Sequence, residues 1–294
     1  MFQIFEYIGI PFGYLFRSIY GFSGHYLTAL FLFCLIVKLV VLPLSISQRK
    51  SMVSRAKLLP QEKAIREHYK SRTDDKAAME LNQQVMELYS KNGFNPAGGC
   101  LPLLIQMPVL FSLYSIITKP LTYLCGLNAE SIAAIESRLG KLILPGAGTT
   151  QIQMISHIKE NFPLFSDLLK GVALPEFVVF GGAIDLSQTP SLSSFSWILV
   201  VPLLTLLASY AAMLIRQKFG DGEQPEDNQM ARSMNTMQYL TPLLSVWISF
   251  SVPAVIGVYW IFQNLLDVVQ QIVLCKIYPL PSLGTDNLAK EKTS

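Results

Sequence analysis

Three long stretches of this chain carry almost no charge, and they constrain what it can fold into more than any other feature. Between Gly93 and Thr118, and again between Ser233 and Leu266, there is no Asp, Glu, Lys or Arg; between Phe177 and Ile215 the only charge is Asp185. Helical runs of about twenty apolar residues match the ~30 Å hydrocarbon core of a bilayer. Only 15% of the 294 residues are charged and 51% are apolar, whereas soluble domains carry about 25% charged residues. The pattern reads as an all-α polytopic membrane protein. A net charge of +3 is too small to imply a nucleic-acid partner.

Five transmembrane helices are expected, over residues 23–46, 98–118, 196–216, 236–252 and 254–275. The last two form a hairpin, because Ser251-Val252-Pro253 leaves room only for a tight turn and one helix cannot use the whole apolar length. Residues 1–22 put Phe5, Ile8, Phe12, Leu15, Phe16 and Ile19 on one helical face, interrupted by Pro11. That stripe suits an external interfacial amphipathic helix, or alternatively a helix packed beneath the bundle. Its first positive residue is Arg17, so it does not read as a cleaved signal peptide.

Lys and Arg set the orientation. Ten of the 23 lie in residues 47–97, and three each in the segments 217–235 (counted from Arg216) and 276–294; the opposite side holds Arg17 and five within 119–195. The basic side faces the cytoplasm, which puts the N-terminus outside and the C-terminus inside. Residues 47–97 read as a cytoplasmic helical hairpin. Pro60 suits the start of its first helix, a break falls at Ser71-Arg72-Thr73, and Leu81, Val85 and Leu88 repeat on one face of the second. Residues 119–195 form an external cap, with helical patterns at Ile132, Ile135, Leu139 and Leu142 and at Ile152, Ile155 and Ile158.

Lys38 is the most informative side chain. It lies eight residues before the end of the first span, roughly 12 Å from the cytoplasmic boundary, where a charge costs about 2.5–3.5 kcal/mol on insertion scales. It needs a hydrated cavity, a counter-ion, or a snorkelling stem. Gln106, Gln263 and Asn264 are amides inside other spans, with Tyr259 and Trp260 as amphipathic aromatics. Helix–helix hydrogen bonding is the alternative use for any one of them. Asp267 lies nine residues before Lys276, at a depth near that of Lys38. It either pairs with Lys38, competing with carboxylates of incoming chains, or sits as a surface acid near the interface. Nucleotide-loop, zincin and serine-hydrolase motifs are absent, so neither catalytic residues nor a metal or cofactor site is expected. The cysteines (Cys34, Cys100, Cys125, Cys275) show no CxxC and read as buried bystanders.

Two stretches are then recognisable. Gly93-Phe94-Asn95-Pro96-Ala97-Gly98-Gly99-Cys100-Leu101-Pro102-Leu103-Leu104-Ile105-Gln106-Met107-Pro108 closely resembles the entry to the second core span of the YidC/Oxa/Alb membrane protein insertases. Phe250-Ser251-Val252-Pro253, then Tyr259-Trp260-Ile261 and Asn264-Leu265, is similar to that family's final hairpin. Leu42-Pro43-Leu44 with Gln48 and Ser51-Met52, and Asp185-Leu186-Ser187, resemble the ends of its first core span and of the run before its third. The resemblance implies a five-span bundle of the type without a large β domain, around a hydrophilic groove open to the cytoplasm and closed outside. It implies an ATP-independent insertase and chaperone in the bacterial plasma membrane, working alone or with the Sec translocon. Nascent membrane proteins, lipid and the ribosome are the implied partners. The family usually has Arg where this chain has Lys38, and Lys lacks the bidentate fork. A secondary transporter or lipid scramblase is the alternative reading; paired ionisable groups at mid-membrane would suit it, but no internal repeat supports it. A purely structural assembly factor is a third.

Overall fold

In the computed structural model, the first span does not stop at the membrane boundary but continues as the first arm of the hairpin. The helix α2 (Tyr26–Tyr69) runs for 44 residues through both Pro43 and Pro60. The structure describes residues 2–72, 74–94, 101–142, 150–169, 171–193, 195–219, 239–240 and 242–281, without the side chains of 2–8, 75, 101–107, 141–142 and 219. Pro60 is therefore internal to a helix, not its start. Proline removes one backbone hydrogen bond and costs about 3 kcal/mol in a helix interior. At Pro60 that cost is offset by burial of Ala56, Leu58 and Leu59 on the turn before it and by strong helix formers on both sides. Pro11 is likewise inside α1 (Phe2–Ser23), the single N-terminal helix expected over residues 1–22.

The other helices are α3 (Asp75–Lys91), α4 (Leu101–Thr118), α5 (Pro120–Tyr123), α6 (Ala129–Leu142), α7 (Gln151–Glu160), α8 (Ser166–Leu169) and α9 (Val200–Phe219), with α11 (Ala254–Ile277) at the end. Residues 242–249 are helical and are labelled α10. Among the described residues three helices are long and apolar enough to cross a bilayer: Tyr26–Tyr69, Trp197–Lys218 and Ala254–Ile277. Pro108–Thr118 is a shorter apolar helix. The expected second and fourth spans, 98–118 and 236–252, fall partly outside the described residues, as does most of the loop 217–235. Leu39, Val40, Leu203, Leu207, Leu243, Trp247, Leu265 and Val269 are large apolar side chains left exposed along these helices, as lipid contact requires.

The chain divides into two units. The first comprises residues 1–40, 103–213 and 237–267. In it α1 lays Phe16, fully buried, against Tyr26 and Phe33 of α2, both with ring centroids 5.5 Å away. The cap helices α6 and α7 bury Ile135, Leu139, Ile152, Ile155 and Ile158, with Phe165 and Leu169 from the turns that follow. Arg138 of α6 makes a bidentate pair with Asp167 of α8, both bonds 2.7 Å, which holds the Asp167 carboxyl below its ordinary range.

The cap also contains a small antiparallel ladder, β1 (Val178–Val179) with β2 (Ile184–Asp185), which the apolar pattern did not disclose. Its stem is fixed at the ends of three spans. Phe177 packs on Tyr26, at the start of α2, with centroids 4.6 Å apart. The β2 strand contacts the 3-10 turn Trp197–Leu199 that leads into α9. Beyond β2, the carbonyls of Leu186 and Gln188 accept hydrogen bonds of 3.0 and 2.9 Å from the Val255 and Ala254 amides. Those amides open α11, where the first turn of a helix has no internal acceptors. Asp185 organises this loop by accepting from the Ser187 amide (2.9 Å) and hydroxyl (2.6 Å) and from the Ser156 hydroxyl of α7 (3.4 Å).

The second unit, residues 41–102, 214–236 and 268–294, holds the hairpin. Leu58 and Val85 form its apolar centre with Tyr89, flanked by Ile65, Leu81 and Phe94. Beside it lies Glu62, buried to 1% exposure. Its Oε1 accepts from Arg66 Nε and Nη2 at 3.0 and 2.8 Å, and its Oε2 from the Tyr89 hydroxyl at 2.8 Å. At the base, Arg49 Nε donates to the carbonyl of Tyr278 at 3.0 Å, while Lys50 lies 5.3 Å from that tyrosine's ring centre.

Replacing Asp185 with Ala removes a set of charge-assisted bonds worth about 1.5–3 kcal/mol each; thermal unfolding of the purified protein should show a lowered Tm, while Glu136→Ala, on an exposed face of the cap, should not. Glu62→Ala should loosen the hairpin by about 3–5 kcal/mol, because it strands Arg66 and Tyr89, and limited proteolysis should then cut residues 47–92 faster. Burial, then the bond to Glu62, raises the Tyr89 phenol above its ordinary 10.0. Its contribution is therefore intact below about pH 10 and lost as pH climbs through the folded value, to be read by circular dichroism; Tyr89→Phe should flatten that alkaline loss.

Candidate functional site

Lys38 sits on α2 in a setting made of apolar turns. Cys34 one turn before it is fully buried, Val37 is buried, and Leu39 and Val40 are exposed. The facing helix is α11, where Tyr259, Gln263 and Asp267 recur every fourth residue and so share one stripe. Phe31 of α2 meets Phe262 of α11 edge to face at 5.4 Å. Further along both helices in the same direction, Lys38 Nζ donates to Asp267 Oδ1 at 2.5 Å. The two helices therefore run parallel and in contact across this stretch.

The pair is neither fully buried nor fully exposed. The Lys38 side chain keeps 18% of its exposure and Asp267 keeps 41%. Either charge alone would be costly against hydrocarbon, and each lowers the cost of the other. A carboxylate that is itself accessible is also a counter-ion that a second carboxylate can replace.

The remaining side chains divide between two jobs. Tyr259 is buried, and its hydroxyl finds no hydrogen-bond partner among the described residues. Gln263 and Trp260 are partly buried on the same helix. Asn264 is turned to a neighbour: its Nδ2 donates to Ser209 Oγ on α9 at 3.0 Å and to the Trp260 carbonyl at 2.9 Å. It ties α11 to α9. The Gln106 side chain lies outside the described residues. The structure thus brings Lys38 and Asp267 together and lines up Tyr259 and Gln263 beside them, and it commits Asn264 to helix packing.

Two packing residues of α9 and α11 escaped the sequence reading. Thr205 Oγ1 donates to the Val201 carbonyl at 2.9 Å and to the Gly257 carbonyl at 3.3 Å across the helix pair. A Cβ on Gly257 would stand 2.7 Å from Val201 Cγ1, so only glycine permits this approach. A lone glycine inside an apolar helix is the signal that would have pointed there. Elsewhere Cys34, Cys125 and Cys275 are buried. Burial pushes the Cys125 thiol, in the cap, up to about 11, with Arg17 opposing, so that group stays protonated and unreactive. Among the described residues no cluster of His, Cys, Asp or Glu could hold a metal ion.

Comparison with known proteins places this geometry in a family. A membrane protein insertase YidC of Clostridium perfringens is 26% identical over 275 residues, covering 94% of this chain and 86% of that one. The YidC insertase of Rickettsia conorii is 28% identical over 266 residues, 90% of this chain but 38% of that longer protein. YidC 2 of Listeria innocua is 26% identical over 253 residues, 86% of this chain and 65% of the relative. The model of the 60Kd inner membrane protein family matches residues 18–280. With that span matched, the chain belongs to the 60Kd inner membrane protein family, the YidC/Oxa family of membrane protein insertases.

Proposed function

We propose that this chain inserts small or nascent membrane proteins, and helps them fold, by giving the polar flank of an incoming segment a partly hydrated path beside Lys38. The hydrophobic part of the client slides along the exposed apolar faces of the spans. The flank meanwhile meets an ammonium in place of hydrocarbon. A charged or unbonded polar group in hydrocarbon costs several kcal/mol, so a shorter dry path lowers the barrier without a nucleotide. The drive is the hydrophobicity of the client segment. In this reading the basic hairpin 47–97 and the C-terminus face the cytoplasm and residues 119–195 the outside, and the protein works alone or beside the Sec translocon and the ribosome.

The observation that carries the proposal is the part-exposed ion pair Lys38–Asp267. In the resting protein Asp267 stands in for a client carboxylate; a client with an acidic flank takes its place. Tyr259, Trp260 and Gln263 shape and wet the α11 side of the path. Gln106 is assigned to the same path from its place in the second span, and Asn264 serves it indirectly by fixing α11 on α9.

Reconstitution into protein-free liposomes tests this. The wild-type protein should integrate a small single-span client, Lys38→Ala should lower the yield several-fold, and Lys38→Arg should retain it. Asp267→Asn should raise photocrosslinking of Lys38-adjacent positions to a client with an acidic flank, and leave a client with a neutral flank unchanged. Equal insertion by Lys38→Ala, or an Asp267→Asn effect blind to the charge of the flank, would remove the proposed role of the pair. Solute flux without insertion would favour a transporter.

A further inference from the structure

The ladder β1–β2 ends in a turn whose residue identity the fold does not explain. Phe180 has φ 54°, followed by Gly181 at 65° and Gly182 at 103°. Glycine occupies that left-handed region freely, whereas a bulky aromatic is an outlier there. Packing within the protein does not compensate, since Phe180 is 81% exposed. An exposed phenyl in a strained turn has its apolar surface available for something outside the chain.

The position of the hairpin says what that is. Its stem is held by Tyr26 through Phe177, by the turn at Trp197–Leu199 through β2, and its following loop accepts from Ala254 and Val255. Those residues begin α2, the span into α9, and α11. The hairpin is therefore rooted at the level where three apolar helices begin, close to where the chain meets the boundary between water and lipid. Leu192 at 77%, Phe195 at 97% and Trp197 at 70% are also exposed, in the segment leading into α9. Ser196 between the last two is extended, so Phe195 and Trp197 project to the same side. Aromatic side chains at this depth partition to the headgroup region.

We propose that Phe180, with Phe195 and Trp197, forms an aromatic anchor that inserts into the leaflet on the side of residues 119–195 and fixes the cap to the membrane surface. The anchor works through apolar burial and not through charge. Asp185 is the only charged residue from Phe177 to Ile215, and its carboxylate is engaged by Ser187 and Ser156. No cation is present on the hairpin to select anionic headgroups. The proposal does not depend on the role assigned to Lys38.

Phe180→Cys, labelled with an environment-sensitive NBD maleimide on the purified full-length protein in phosphatidylcholine vesicles, tests it; unsubstituted protein carried through the same labelling corrects for the native thiols. The emission should be blue-shifted, quenched several-fold more by lipids carrying a shallow doxyl group than by aqueous iodide, and unchanged when phosphatidylglycerol is added. Phe195→Cys should behave alike, and Glu136→Cys, on an exposed face of the cap, should report water. Iodide-quenched, water-like emission at 180 would overturn the anchor and leave a protein partner as the occupant of the tip, and shielding only with phosphatidylglycerol would overturn its apolar character. Phe180→Gly in detergent provides an independent check. Relief of the strained turn should hold Tm constant or raise it, whereas a clear fall would mean that the ring supports the protein itself and would also overturn the proposal.

Discussion

A charge cannot be left unaccompanied on an apolar helix, and the arrangement of α2 against α11 follows from that constraint. Lys38 fixes where the two helices must meet, because the ammonium reaches Asp267 only if the helices are parallel and in register at Phe31 and Phe262. The pair does not add much stability by itself: an ion pair drawn partly out of water recovers little more than its desolvation penalty. What it does supply is register. Slipping one helix by a turn would separate the charges by about 5 Å and leave both facing hydrocarbon, so the alternative packings are penalised more strongly than the native one is rewarded.

The same reasoning applies to backbone groups at the membrane boundary. A helix that begins at the end of a tight turn, as α11 does after Pro253, presents amides with no acceptors. Here the acceptors are the carbonyls of Leu186 and Gln188, far away in sequence. The loop can offer them only because Asp185 draws Ser187 and Ser156 around itself. One carboxylate outside the spans therefore sets the geometry at the head of α11, on the helix that carries Asp267 three turns further along. The cap thus supplies the acceptors for the first turn of the helix that carries Asp267.

The membrane character, the apolar segments and the similar register of Lys38 and Asp267 along their helices were legible in the chain because each rests on local composition and on the rise of a helix. Where sequence reasoning failed, the deciding contacts were non-local. Pro60 reads as a helix start since proline favours the first turn, yet burial of Leu58 and Leu59 and the clasp of Glu62 on Tyr89 carry the helix through it. The β1–β2 ladder, only two residues a side, has no periodicity long enough to register. For Asn264 the sequence left groove amide and helix-packing amide both open, and only the position of Ser209 on another helix selects the second contact. Glu62 was hidden because a carboxylate on a basic hairpin is ordinarily a surface group, and only its three hydrogen bonds make burial tolerable.

A protein without an energy source can promote insertion only by exchanging one favourable arrangement for another of similar free energy. On the proposed reading, the exchange at Lys38 has that property. Asp267 leaves the ammonium and a client carboxylate arrives, so the number of ion pairs is unchanged and neither state is a deep trap. Asp267 is the more exposed partner, at 41% against 18%, so on that reading it is the group that moves aside on release while Lys38 stays within the bundle. The asymmetry matters because a buried, fully satisfied counter-ion would hold the lysine too firmly to yield, and its absence would leave a bare charge destabilising the span. A part-wetted aspartate sits between those limits, and the position of the exchange is then governed by how many carboxylates the client brings and how apolar the segment behind them is.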